Sequence, residues 1–266
     1  MRVFYYFNPY DSDKDDYDKM EPVVLNDILN EQRIKASKVS KLNDPFDFQV
    51  SFSPGTPSGF VRGFRSVLDR YNETNALISF STDIYNVLMW SHYAAEHYGY
   101  ALELELEPRL LTRVNYSLMA PEIVYSKEQD QTENYGSVIN DVLKTKSIDW
   151  AYEKEWRMIF WDCPNNENIK PGTLKDGTAL WFYPLPQGSL KSIFIGLKCK
   201  KTKKDIKAQL AQLGLNDVRV YKMERDNTGF SLACKQYERD TNIRQFCRCI
   251  RKLKWCAKQS SAELTE

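Results

Sequence analysis

Tyr100-Ala101-Leu102-Glu103-Leu104-Glu105-Leu106-Glu107 carries an apolar side chain at every even position and Ala or Glu at every odd one. Neighbouring side chains on extended backbone point to opposite faces. The alternation therefore predicts a strand with an apolar inner face and with Glu103 and Glu105 on its solvent face. Upstream, residues 76–82 form a short apolar run that also reads as a strand, and further strands are expected at 123–125, 156–161, 179–183, 192–195 and 218–223. The 3.6-residue period appears elsewhere. Val24, Leu25, Ile28 and Leu29 predict a helix over 22–34 behind an aspartate-rich loop at 11–18. Phe60, Phe64, Val67, Leu68 and Tyr71 predict a second helix, and Ile84, Val87, Leu88 and Ala95 around Trp90 a third. A further helix over 203–213 is stopped by Gly214. Helices come first and strands dominate later, without the strand-helix alternation of a doubly wound parallel sheet. The expected class is α+β with an antiparallel or split sheet and N-terminal helices.

The chain has 266 residues, 42% hydrophobic and 13% aromatic, which suffices for a core without disulfides or metal. Thirty-seven basic residues against 36 acidic ones declare no polyanionic partner, so any nucleic-acid face must come from local clustering. Such a cluster exists between Lys235 and Lys258, where eight basic residues face only Glu238 and Asp240. Arg244, Arg248, Arg251, Lys252 and Lys254 are its candidate phosphate contacts, and the competing reading is a solvated amphipathic helix covering a sheet edge. The expected division is a single domain over 1–232 and a basic tail over 233–266. No apolar run reaches the length of a membrane span and no leader peptide is legible, so a cytoplasmic protein with reduced thiols is expected. Cys247, Cys249 and Cys256 lack a fourth ligand and CxxC spacing, so no metal site is expected.

Chemistry concentrates in a few places. The two histidines, His92 and His97, lie five residues apart, which on a helix separates them by about 140° and disfavours a shared metal. His92 reads either as a substrate contact or, like His97, as a core or capping residue. Glu153-Lys154-Glu155 stands at the mouth of a strand, where residues i and i+2 point to one side. Both carboxylates can then address one ligand, and such a pair can stabilise charge developing on a sugar carbon. The alternative is a surface pair bridging Lys154 and Arg157. Ser79-Phe80-Ser81 places two hydroxyls on one side of a strand, and Asn43-Asp44-Pro45-Phe46-Asp47 reads as a turn. There is no GxGxxG, P-loop or GxSxG motif.

Lys41-Leu42-Asn43-Asp44-Pro45-Phe46-Asp47, Ser79-Phe80-Ser81, Leu88-Met89-Trp90-Ser91-His92-Tyr93-Ala94 with His97 and Gly99, and Trp150-Ala151-Tyr152-Glu153-Lys154-Glu155-Trp156-Arg157 together resemble the bacterial domain of unknown function 2971. Tyr5-Tyr6, Val124-Tyr125 and Ile193-Phe194-Ile195-Gly196-Leu197-Lys198 extend the resemblance over roughly residues 1–232. Ser79-x-Ser81 followed by Glu153-x-Glu155 is also similar to the arrangement of ADP-ribosyltransferases.

That second resemblance implies a split antiparallel sheet binding NAD. In it Glu155 serves the nicotinamide ribose, Glu153 orients the acceptor, and Ser79 and Ser81 support the pocket. The departure is at the first strand, where Tyr5 and Tyr6 stand in place of that family's Arg or His, leaving His92, Arg157 or an aromatic to anchor NAD. Trp90, Tyr93 and Trp156 are the candidates for stacking on nicotinamide. The implied function is an NAD-dependent ADP-ribosyltransferase acting as a toxin or phage-defence effector. Its acceptor is RNA, DNA or protein, and a neutralising antitoxin partner is expected. The alternative is a non-enzymatic or nuclease-like nucleic-acid binder in which the carboxylates are structural.

Overall fold

The computed structural model describes residues 1–10, 22–125, 136–173 and 179–240. In chain order the strands are β1 (Arg2–Phe7), β2 (Arg33–Lys38), β3 (Ser51–Phe52), β4 (Ala76–Ser81), β5 (Tyr100–Glu105), β6 (Thr112–Arg113), β7 (Asn115–Ser117), β8 (Glu122–Ile123), β9 (Thr145–Ser147), β10 (Glu155–Phe160), β11 (Lys170–Thr173), β12 (Ala179–Pro184), β13 (Leu190–Ile195), β14 (Arg219–Lys222), β15 (Glu224–Arg225) and β16 (Leu232–Ala233). The helices are α1 (Val23–Glu31), α2 (Ser58–Thr74), α3 (Val87–Tyr93), α4 (Gly136–Lys144), α5 (Lys203–Gln212) and α6 (Lys235–Asp240). The fold is mixed α+β.

Ten strands join one sheet, running β11-β12-β2-β4-β1-β5-β13-β14 with β10 and β6 branching from β4. Its pairings are antiparallel except β13 with β14. Along one edge β4 pairs with β10 over its full length, from Ala76 opposite Phe160 to Ser81 opposite Glu155. Along the other edge two different strands meet it. β2 takes Ala76 and Leu77, while β1 takes Ser81. Ile78, Ser79 and Phe80 have no ladder partner on that side, so the sheet opens there.

The two faces of the sheet are covered differently. On one face a continuous core joins Val3, Phe7, Ile78, Phe80, Leu102, Leu104, Met158 and Ile193 to Leu25 and Ile28 of α1 and Ile206 and Leu210 of α5. On the other face there are two separate clusters. Phe4, Tyr6, Trp90, Ala101, Phe194, Tyr221 and Tyr237 pack beneath α3 and α6. Leu77, Phe64, Leu68, Ile139 and Val142 pack beneath α2 and α4. Period-2 alternation explains the sorting, since Leu77, Ser79 and Ser81 leave β4 on the side opposite Ile78 and Phe80. The opening in the sheet lies between the two clusters.

The helical stripes expected over 22–34 and 84–95 are present in shorter helices, and that over 60–71 lies within the longer α2. β2 occupies the end of the first stripe, because Gln32 turns left-handed at φ 48 and reverses the chain. Gly214 has φ 72, as the end of α5 requires, and Thr202 and Asp205 form its capping box. One expectation on the alternating strand is corrected. Glu105 is exposed, but Glu103 is fully buried, because β13, α3 and α6 cover the face on which it was expected to meet solvent. Tyr237 belongs to the same cluster as Leu232 and Cys234. Among the described residues no helix is long and apolar enough to cross a membrane, and Cys163, Cys199 and Cys234 are buried and form no disulfide with one another. The loop expected at 11–18, Arg244, Arg248, Arg251, Lys252 and Lys254, and Cys247, Cys249 and Cys256 lie outside the described residues.

Candidate active site

The opening beside β4 is a cleft of about 250 Å³, whose lining includes Tyr5, Tyr6, Ser79, Ser81, Tyr93, Lys146, Glu153 and Glu155. Cross-strand register builds its wall. Ser81 stands opposite Glu155 and Ser79 opposite Arg157, all on the face that carries Leu77 and Ile159.

Glu155 is held on every side. Arg157 Nε donates to its Oε1 at 2.8 Å and Nη2 to its Oε2 at 3.1 Å, while Lys146 Nζ lies 3.4 Å from Oε2. Burial by itself would raise this carboxyl, but Arg157 and Lys146 outweigh it and bring Glu155 down to about 2. The Glu155 backbone N–H donates to the Tyr116 hydroxyl at 2.8 Å. Arg157, 1% exposed, completes its guanidinium with Leu143 O at 2.8 Å and both Asp47 carboxylate oxygens at 3.0 and 2.9 Å.

Glu153 is placed differently. Glu153 and Glu155 were expected to share a side by strand alternation. Instead Glu153 ends a 3₁₀ turn over Ile148–Glu153, and Lys154 is left-handed at φ 49, with β10 starting only at Glu155. The turn, rather than the pleat, aims Glu153 into the cleft. Of the surface-pair alternative, the Arg157–Glu155 pair is present but buried, while Lys154 binds Asp83 at 2.6 Å and neither glutamate. Glu153 accepts from Lys146 Nζ at 2.7 Å and from the Tyr93 hydroxyl, itself receiving Asn43 Nδ2 at 2.9 Å. Burial raises Glu153; Lys146 opposes that shift and the nearby Glu155 adds to it. The two glutamates thus have unlike protonation tendencies, a mark of acid/base pairs. Burial, Glu153 and its hydrogen bond raise the Tyr93 phenol, so it remains a neutral donor.

The cluster holds three carboxylates, from Asp47, Glu153 and Glu155, and two cations, Lys146 and Arg157. Its formal balance with all groups ionised is one negative charge, while Lys35 and Lys41 on the same cleft lining add two positive ones. Among the described residues no His, Cys, Asp and Glu cluster has metal-ligand geometry.

The other expected site residues divide. Ser81 lines the cleft, but its hydroxyl donates to Glu153 O at 2.7 Å and accepts from Asp83 N at 3.1 Å, so it shapes the turn. Tyr6 lines the cleft and donates to Asp83 O at 2.6 Å. Trp90 is fully buried, with its ring N–H on Ile84 O, and His92 lies against Trp150 and Tyr152; neither lines the cleft. Trp156 packs on the opposite face of the sheet. Arg157 supports Glu155 from beneath. The helix through both histidines ends at Tyr93; His97 follows in a left-handed turn and bonds Ser91 Oγ at 3.1 Å.

Lys146 and Asp47 complete the cluster without a sequence motif that points to either. Asp47 stood in the 43–47 turn, and Lys146 in a stretch with no motif.

Residues 89–158, a stretch that includes Met89–Tyr93 of α3 together with Lys146, Glu153, Glu155 and Arg157, match the family model described as Protein of unknown function (DUF2971). No curated protein and no solved structure matches the chain.

Proposed function

We propose that this chain, whose residues 89–158 match the DUF2971 model, is an NAD-dependent ADP-ribosyltransferase with a split sheet of that type. It would modify a nucleic acid or protein acceptor as a toxin or phage-defence effector held in check by a neutralising protein. The observation that carries this reading is the register of β10 on β4. It sets Glu155 opposite Ser81, next to the Ile78–Phe80 stretch where β4 lacks a ladder partner, with Glu153 at the same cleft.

A cleft of about 250 Å³ suits the nicotinamide-ribose end of NAD rather than the whole dinucleotide. Lys35 and Lys41 on its lining are suited to a diphosphate lying outward. Glu155 is ionised and nearly saturated with donors, so it contributes a fixed negative charge. As the C1′–nicotinamide bond lengthens, that charge opposes the positive charge growing on the sugar carbon, in a cavity where it is weakly screened. Glu153 keeps acceptor capacity beyond Tyr93 and Lys146. With its raised pKa it is the group to take the proton of the attacking acceptor.

The test is nicotinamide release from NAD, with mass analysis of mixed RNA, DNA and protein acceptors, for wild type and Glu155→Gln. The expected loss in the variant is roughly 100-fold or more at retained fold. Absence of nicotinamide release from folded wild type freed of any inhibitor overturns the proposal.

A further inference from the structure

A second cavity of about 200 Å³ adjoins the first and shares Lys146 as a wall. Its rim is apolar and solvent-facing: Phe46 is 68% exposed, Leu118 86% and Met119 76%. Single exposed apolar residues are ordinary, but three large ones on one cavity mark a binding surface. Both rims are tied to the glutamate strand. Phe46 precedes Asp47, whose carboxylate grips Arg157, and Leu118 lies two residues beyond Tyr116, whose hydroxyl accepts from Glu155 N–H. The rim is therefore positioned by the same contacts that position Glu155.

Resting on the transferase reading, we infer that this second cavity is the acceptor subsite and that it takes an unpaired base of a single-stranded nucleic acid. A base offers a flat apolar face to Phe46 and Met119 and polar edges to the Gln49 amide on the same lining. Charge is compatible with the same partner: Lys146 is the charged side chain of the lining, and the chain carries a basic run between positions 235 and 258, which from 241 lies outside the described residues. In the transfer a base N–H nitrogen bonds to ribose C1′ and the C1′–N bond to nicotinamide breaks. Nicotinamide leaves neutral with that electron pair, and the proton of the attacking nitrogen passes to the Glu153 carboxylate.

The experiment measures fluorescence anisotropy of labelled single-stranded RNA and DNA with the full chain, without NAD, at two salt concentrations, for wild type, Phe46→Ala and Met119→Ser. Thermal midpoints serve as the check on folding. Loss of stacking is expected to weaken binding roughly tenfold in Phe46→Ala, with an unchanged salt slope because no phosphate contact is removed. Equal binding by wild type and Phe46→Ala, no binding by wild type, or ADP-ribose found only on proteins overturns the inference. Phe46-dependent binding by a wild type that releases no nicotinamide overturns the transferase reading and leaves the base site standing.

Discussion

Glu155 on β10 and Glu103 on β5 are both withdrawn from solvent, yet their surroundings differ in kind. Glu155 meets two buried cations and faces a cleft. Glu103 meets the hydroxyls of Ser192 and Tyr237, with Arg2, half exposed, 3.4 Å away, and lines no described cleft. Burial costs an ion its hydration, and neutral donors or cations can both replace it. The difference teaches that a buried carboxylate by itself marks no active site. Paired cations together with an open cavity distinguish the region suited to chemistry from the region that fastens α6 to the sheet.

The largest effect separating the two regions is expected from Arg157→Met, which strands Asp47 and Glu155 in a buried setting. A loss of about 3–5 kcal/mol in urea unfolding is expected. Next comes acid. Glu155 is depressed in the folded state, so its contribution is present above the ordinary value of 4.5 and fades as pH falls towards about 2. Glu153 is raised, so its contribution runs the other way, present at low pH and lost as pH climbs through its folded value. Stability measured from pH 5 to 2 should fall steeply in wild type and less steeply in Glu155→Gln.

Tyr93→Phe removes the hydroxyl linking Asn43 to Glu153. A rate loss of about tenfold, with the acid limb of the nicotinamide-release profile moved to higher pH, is expected. A profile that keeps its wild-type shape would show that Tyr93 does not tune Glu153. The smallest effect is assigned to Glu103→Gln, where both hydroxyl partners can reverse donor and acceptor roles. It should cost about 1 kcal/mol of stability and leave nicotinamide release at the wild-type rate. A large rate loss there would erase the contrast between the regions.

Much of the fold was legible because local patterns report burial. The runs at 76–82 and 156–161 became the paired β4 and β10, and the stripe from Phe60 to Tyr71 became the core face of α2. The two glutamates and the two serines were legible as chemistry-bearing spacings. Their neighbours were less so. Lys146 sits in the two-cation cluster only because β9 pairs with β7 and is followed by the turn carrying Glu153. Nothing in Lys144-Thr145-Lys146-Ser147 announces that placement. Glu103 was misread because alternation tells which residues share a face, and α3, α6 and β13 decide which face meets solvent.

By itself the sequence determined the α+β class, the strands flanking the cleft and the residues Ser79, Ser81, Glu153 and Glu155 as candidates, since period and spacing are properties of neighbouring residues. Only the tertiary structure decided that the ladder on β4 is interrupted, that Lys154 turns left-handed to aim Glu153, and that Asp47 meets Arg157 across 110 residues of chain. The physical reason is that ion pairing and desolvation depend on distances between residues far apart in the chain, which register and turns set and local pattern does not encode.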